Sequence, residues 1–353
     1  MADKVLMKGN EALAESAIRA GCRCFFGYPI TPQTEVAAYM AKRMPQVGGT
    51  YLQAESEIAA INMVYGAAST GTRAMTSSSS PGISLKAEGI SYLAGSDLPA
   101  VIINICRGGP GLGGIQPAQS DYNQATKGLA HGDFHVLVLA PNCIQEMCDL
   151  ISDAFDLAET YRMPAMILGD GMLGQMMEPV ALPEPHESKI DKSWAASGTD
   201  MKRKHNVINS LYIQPDQLEK IVMDRYARYR QIEENEVRYE EFMTEDADIV
   251  IVAYGASSRI ARNAIMAARA EGIKVGMFRP ITLWPFPKKA LNQLADSARA
   301  FLSVELSMGQ MIDDVKLAIN CRRPVYLANR TGGVVITPNE ILAKIREIKG
   351  ETL

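Results

Sequence analysis

Six short apolar runs, set at intervals between stretches of helical period, constrain this chain more than any other feature. They lie at residues 23–27, 50–53, 73–77, 100–106, 134–140 and 165–169. Several are apolar almost without interruption, as parallel strands must be when both faces of their sheet are covered. The intervening segments 11–20, 34–44, 57–69, 84–93 and 142–161 carry helical patterns. This alternation predicts an α/β fold with a doubly wound sheet over residues 1–182. Residues 183–245 read differently. Pro183, Pro185 and the polar run 186–205 form an extended connector. Pro215 then opens a charged helical pattern from 216 to about 243, read as a solvated spacer. A second, smaller α/β unit follows over 246–353, with strands at 248–253, 275–278, 301–305 and 324–327 and a helix at 255–270.

Composition narrows the possible partners. Apolar residues make up 47% and charged residues 22%, and the formal net charge is −4. No segment is strongly basic, so nucleic acid is not an expected partner. The longest apolar runs are too short to span a bilayer, and the first residues lack a signal-peptide core, so no membrane association and a cytoplasmic location are expected. The six cysteines are Cys22, Cys24, Cys106, Cys143, Cys148 and Cys321. No pair has the Cys-x-x-Cys spacing and no run matches an iron–sulfur ligand pattern, so any such cluster is expected on another polypeptide.

Four segments carry candidate chemistry. Ser56 precedes Glu57 at the start of a helix whose residues Ala59, Ala60, Gly66, Ala67 and Ala68 leave it small-sided and apolar. Ser56 suits the N-cap, and an acidic side chain suits a first turn through the helix dipole alone. A carboxyl group held against such packing is also a candidate for proton chemistry. Glu55 is the rival, two residues earlier. The loop Gly27-Tyr28-Pro29-Ile30-Thr31-Pro32 follows a strand. Two prolines make it rigid, and Thr31 or Thr34 is placed to cap the next helix. Residues 107–114, Arg-Gly-Gly-Pro-Gly-Leu-Gly-Gly, contain G-x-G-x-x-G, but Pro117 interrupts the helix a dinucleotide site requires. Arg107 at a strand's carboxyl end offers a guanidinium fork to a carboxylate. Gly169-Asp170-Gly171 reads as a strand-end turn, and His131 and His135 do not form a helical metal pair because Gly132 intervenes.

The Glu57-to-Gly66 spacing resembles the pyrimidine-binding domains of thiamine diphosphate enzymes, and Tyr28-Pro29-Ile30-Thr31-Pro32 resembles the substrate loop of 2-oxoacid:ferredoxin oxidoreductases. Arg107-Gly108-Gly109-Pro110 followed by Gln119-Ser120-Asp121 is similar to the same family. So are Leu283-Trp284-Pro285-Phe286-Pro287 and Val304-Glu305-Leu306-Ser307-Met308-Gly309-Gln310 in its transketolase C-terminal-like domain. The resemblance covers nearly the whole chain and is to the α subunit.

It implies that Glu57 hydrogen-bonds the aminopyrimidine, so that the 4′-nitrogen can take the thiazolium C2 proton. It also implies that Tyr28 and Pro29 contact the cofactor, while Thr31, Ile30 and Arg107 contact the oxoacid. The Asn pair that completes a metal–diphosphate motif is missing after Gly169-Asp170-Gly171. Mg²⁺ and diphosphate are therefore expected on a β subunit, and 4Fe–4S clusters on partner subunits, one of them small and ferredoxin-like. The implied reaction is oxidative decarboxylation of a 2-oxoacid with coenzyme A, reducing ferredoxin, by a chain inactive alone. Residues 108–117 point to the branched-chain type, acting on 3-methyl-2-oxobutanoate. The alternatives are 2-oxoglutarate, whose enzymes usually carry Ser-Thr-Gly after Gly-Gly-Pro, and a non-redox thiamine transferase or synthase.

Overall fold

The structure, a computed structural model, describes residues 4–352. The first part of the chain runs β1 (Val5–Lys8), α1 (Gly9–Arg19), β2 (Cys24–Gly27), α2 (Thr34–Arg43), β3 (Thr50–Gln53), α3 (Glu57–Ser69), β4 (Ala74–Ser78), α4 (Pro81–Gly95), β5 (Ala100–Cys106), α5 (Tyr122–Thr126), β6 (Leu137–Leu139), α6 (Ile144–Tyr161), β7 (Pro164–Asp170), α7 (Gly171–Gln175) and β8 (Met177–Val180). It continues with α8 (Pro215–Asn235), β9 (Tyr239–Phe242), β10 (Ile249–Val252), α9 (Gly255–Ala270), β11 (Val275–Pro280), β12 (Thr282–Trp284), α10 (Lys288–Leu294), β13 (Ala300–Glu305), α11 (Met311–Ala318), β14 (Val325–Asn329) and α12 (Pro338–Thr352).

The larger sheet has the order β12-β6-β7-β5-β4-β2-β3. β5 and β7, its centre, are buried at every residue and pair in parallel over seven positions, Ala100↔Pro164 to Cys106↔Asp170. These are the nearly continuous apolar runs of the sequence, and burial on both faces is the reason they lack alternation. The smaller sheet has the order β14-β13-β10-β11-β9, parallel except for β9. One apolar core extends from the large sheet to Val250, Val252, Phe278 and Phe301 of the small one. The two sheets therefore share packing.

Local structure departs from the sequence expectations where side chains are half-exposed or partners are remote. β1 and β8 form an antiparallel pair, Val5↔Val180, that no apolar run signals because half of their residues are exposed and only one in each strand is buried. The charged pattern expected to stay helical to about 243 stops at Asn235, and β9 follows as an antiparallel edge on β11. Its polar alternation is the pattern of an edge strand. Nor is α8 solvated on all sides: Arg225, Tyr229 and Ile232 are buried, and Arg225 Nε donates to Asp97 Oδ1 at 3.1 Å. β12 leaves the C-terminal unit and adds an antiparallel edge to the first sheet, Thr282↔Leu139. There Trp284 stacks on His135, ring centroids 4.6 Å apart.

Glu305, at the end of β13, is fully buried and shapes the loop into α11. Its carboxylate accepts from Ser303 Oγ and Ser307 Oγ, both at 2.8 Å, and from the backbone amides of Gln310, Met311 and Ile312 at 2.7, 3.1 and 2.9 Å. Glu305→Ala would take the acceptor from all five donors, four of them buried. We expect a loss of about 3 kcal/mol in unfolding free energy, read from urea denaturation, with Glu305→Gln less damaging.

Candidate active site

In an open α/β sheet the functional crevice forms where the strand order reverses. Here the chain goes from β2 outward to β3, then returns past β2 to β4 and on to β5. β2 pairs with β3 along its length, but with β4 only at Cys24↔Ala74 and Phe25↔Met75. The last three residues of β4 pair with β5 instead. The sheet thus opens between the carboxyl ends of β2 and β4. Gln33 bridges the opening: its Oε1 accepts from Ser77 Oγ at 2.5 Å, and its Nε2 donates to Tyr28 O at 3.4 Å.

Glu57 lies at this opening, at the first position of α3. Ser56 caps the helix, its Oγ accepting from the Ala59 amide at 3.1 Å. Glu57 is 7% exposed, whereas Glu55 is exposed. A side chain on Gly82 of α4 would meet it: a Cβ there would sit 2.8 Å from Glu57 Oε1 and 2.1 Å from Ser78 Oγ. Close approach of α3 and α4 also needs Gly89, whose Cβ would fall 2.4 Å from Ile61 Cγ2. Gly66, nine residues after Glu57, is exposed, with open space where a Cβ would stand. The fully buried Lys86 lies one turn beyond Gly82. Burial pushes its ammonium down from 10.5 to about 8, opposed by the charge of Glu57. Its Nζ has no hydrogen-bond partner, nor have the buried hydroxyls of Thr76, Ser78 and Ser79.

Arg107 and Thr31 meet. Arg107 Nη1 donates to Thr31 O at 2.9 Å and Nη2 to Leu112 O at 3.0 Å, while Nε is buried without a partner. The fork is therefore partly engaged in joining the proline loop to the glycine loop, which the sequence does not disclose. Asn10 Nδ2 and Gln175 Nε2 hold Pro32 O at 2.8 and 3.0 Å. Thr31 and Pro29 are exposed, and Tyr28 and Ile30 half-buried. Thr31 lines a cleft of about 720 Å³ with Pro32, Ile115, Pro117, Met172 and Val335. A second cleft of about 420 Å³ lies between Ser80, Gly109, Asp121 and Met308. Glu57 lines neither of these two clefts.

Ser80 and Arg107 are locked through Asp121 of the Gln119-Ser120-Asp121 motif and through Asn104, which the sequence did not single out. Ser80 Oγ donates to Asp121 Oδ2 at 2.6 Å, Asn104 Nδ2 donates to the same oxygen at 2.9 Å, and the Arg107 amide donates to Ser80 Oγ at 3.0 Å. Gln119 joins the two sheets by donating to Tyr254 O and accepting from the Leu306 amide. Asn104 was hidden because a lone Asn in an apolar run carries no pattern. The carboxylate of Asp170 caps α7, accepting from the Met172 and Leu173 amides at 2.9 and 3.1 Å, and burial pushes it up to about 6. Among the described residues no group of three His, Cys, Asp or Glu side chains is placed to hold a metal ion. No helix among them is long and apolar enough to cross a membrane.

Residues 15–244 match the family described as pyruvate flavodoxin/ferredoxin oxidoreductase, thiamine diphosphate-binding, and residues 247–341 match pyruvate:ferredoxin oxidoreductase core domain II. The ketoisovalerate oxidoreductase subunit VorB of Methanothermobacter marburgensis is 54% identical over 348 residues, which cover 98% of either chain. The 2-oxoglutarate synthase subunit KorA of the same organism is 35% identical, covering 99% of this chain and 100% of that one. Among solved structures, the 2-oxoglutarate:ferredoxin oxidoreductase from Magnetococcus marinus, with 2-oxoglutarate, coenzyme A and succinyl-CoA bound, matches with a TM-score of 0.87 at 27% identity. The match covers 98% of this chain and 65% of that one. A split-gene transketolase shares the fold, with a TM-score of 0.60 at 14% identity over 97% of both chains.

Proposed function

Because this chain belongs to the pyruvate flavodoxin/ferredoxin oxidoreductase family, we propose that it is the subunit holding the pyrimidine end of thiamine diphosphate in a 3-methyl-2-oxobutanoate:ferredoxin oxidoreductase. The reaction consumes the oxoacid and coenzyme A and yields the branched acyl-CoA, CO₂ and two electrons for ferredoxin. The observation that carries this reading is Glu57: a buried carboxylate with no hydrogen-bond partner within the described chain, against a glycine that leaves space beside it.

The residues present suit the cofactor's ring. Ser78 and Ser79 keep unpaired buried hydroxyls at the end of β4, and the missing Cβ of Gly82 admits the Ser78 hydroxyl and the Glu57 carboxylate against α4. When bound, thiamine diphosphate supplies a carbon nucleophile for the oxoacid's keto group. Glu57 contributes a carboxyl group at a ring nitrogen, and Tyr28 and Pro29 border the ring. Thr31 and Ile30 meet the oxoacid. Arg107 sets the Thr31 loop and offers its remaining N–H groups to the carboxylate. Residues 1–182 act as the pyrimidine-type domain, 183–245 as connector, and 246–353 as the transketolase C-terminal-like domain.

The substrate preference is supported by the larger cleft. Ile115, Met172, Pro117 and Val335 give it apolar walls, and neither Arg nor Lys lines it. A second carboxylate, as in 2-oxoglutarate, would meet Glu35 there, which Lys8 pairs at 3.6 Å from outside the lining, and no cation of the cleft wall. Exposed apolar side chains around the site, with Ile58 52% and Leu112 85% exposed, suit coverage by a β subunit. That subunit would carry Mg²⁺ and the diphosphate, since Asp170 is engaged with backbone amides. A small ferredoxin-like subunit would carry the 4Fe–4S clusters. The six cysteines, all free, suit the cytoplasm.

The reconstituted complex, assayed with a viologen acceptor, should show its highest kcat/KM on 3-methyl-2-oxobutanoate among that acid, 2-oxoglutarate, pyruvate and indolepyruvate. A preference for 2-oxoglutarate would reject the substrate assignment. Arg107→Ala should raise the oxoacid KM by about tenfold or more while thiamine diphosphate affinity changes little. Unchanged oxoacid kinetics would remove Arg107 from the site.

A further inference from the structure

Lys86 is unusual on physical grounds alone. A lysine is almost never fully buried without a partner, yet its side chain is inaccessible and its Nζ makes no hydrogen bond. Side chains on a helix lean toward its N-terminus, over the preceding turn. On α4 that turn holds Gly82, where Glu57 Oε1 and Ser78 Oγ both close in on the space a Cβ would fill. Lys86 therefore lies in the α3–α4 seam close enough for the charge of Glu57 to act on its ammonium, without forming an ion pair with it. Glu57, from α3, is the one charged group acting on it. β4, Ala74–Ser78, carries no titratable side chain, and Glu88 on the same helix is exposed and accepts from Tyr92 Oη.

We propose that Lys86 is a positioning residue that stores the proton Glu57 presents to a bound ring nitrogen. The inference rests on the reading of Glu57 given above. Before a ring nitrogen docks, the proton is carried by Lys86 as a buried ammonium. When a ring nitrogen docks against Glu57, that proton leaves Nζ and comes to the carboxyl–nitrogen hydrogen bond; Lys86 becomes a neutral amine, the form that burial without partners favours. Ser78 Oγ, unpaired at the same spot, is a hydroxyl able to relay it. No proton need then be drawn from solvent, and the downward shift of Lys86 toward 8 means the store is full at neutral pH and empties above it.

The test is proton uptake on binding. The reconstituted complex would be titrated with magnesium thiamine diphosphate by calorimetry in buffers of different ionisation enthalpy. For the unmodified complex, uptake should rise by up to one proton between pH 7 and pH 9, as Lys86 loses its proton beforehand. Lys86→Met, similar in shape, should take up about one proton more than the unmodified complex at pH 7 and bind roughly tenfold more weakly for each pH unit gained. Equal proton counts in the two proteins would overturn the proposal. If the variant does not assemble, a pH-independent count in the unmodified complex overturns it equally. The Glu57 reading is judged separately, by C2–H exchange in Glu57→Gln: full exchange there would refute the carboxylate's role whatever the proton count.

Discussion

Glu57→Gln should lower C2–H exchange of complex-bound thiamine diphosphate by about 10²- to 10⁴-fold, the range a positioned acid–base group contributes. The substitution preserves shape and removes only the acid. Glu57 makes no hydrogen bond within the described chain, and the Ser56 cap that places it does not depend on its charge. Assembly of the complex and its melting temperature should therefore stay close to those of the unmodified protein. Exchange followed by proton NMR after a jump into D₂O is the direct measurement. An unchanged rate would mean that the aminopyrimidine is activated elsewhere.

Gly82→Ala should be nearly as damaging from a residue that touches no reacting atom. The added methyl would stand 2.1 Å from Ser78 Oγ and 2.8 Å from Glu57 Oε1, distances no real contact sustains. Glu57 must swing away or α4 must retreat, and Gly89 packed on Ile61 opposes the retreat. Overpacking of this kind costs about 1–3 kcal/mol. The functional loss should be larger, about 100-fold in kcat/KM, because a displacement of an ångström is costly at a reacting centre. Normal activity in Gly82→Ala would show that Glu57 tolerates displacement and is not held for chemistry.

Much of the architecture was legible because parallel strands and amphipathic helices declare themselves by local period. α3 and β5 coincide with their expected bounds, and Ser56 caps α3 as its chemistry suggests. The family was legible from motifs that combine unusual residues, such as Tyr28-Pro29-Ile30-Thr31-Pro32. Edge strands were not. β9 and β12 acquire their state from partners in other parts of the chain, β11 and β6, and short half-exposed segments carry no strong period of their own.

The division at the site has the same origin. Residue identity at the strand ends determined which groups could bear chemistry: a carboxyl in a first turn, a guanidinium after a central strand, a threonine between prolines. Only the tertiary structure decided that Arg107 clasps the Thr31 carbonyl, that Gly82 makes space for Glu57, and that Lys86 is buried in the same seam. Those relations join segments tens of residues apart. They arise from packing α3 against α4 and from the opening between β2 and β4, and the energy of burying a charge depends on that three-dimensional surrounding rather than on any neighbour in sequence.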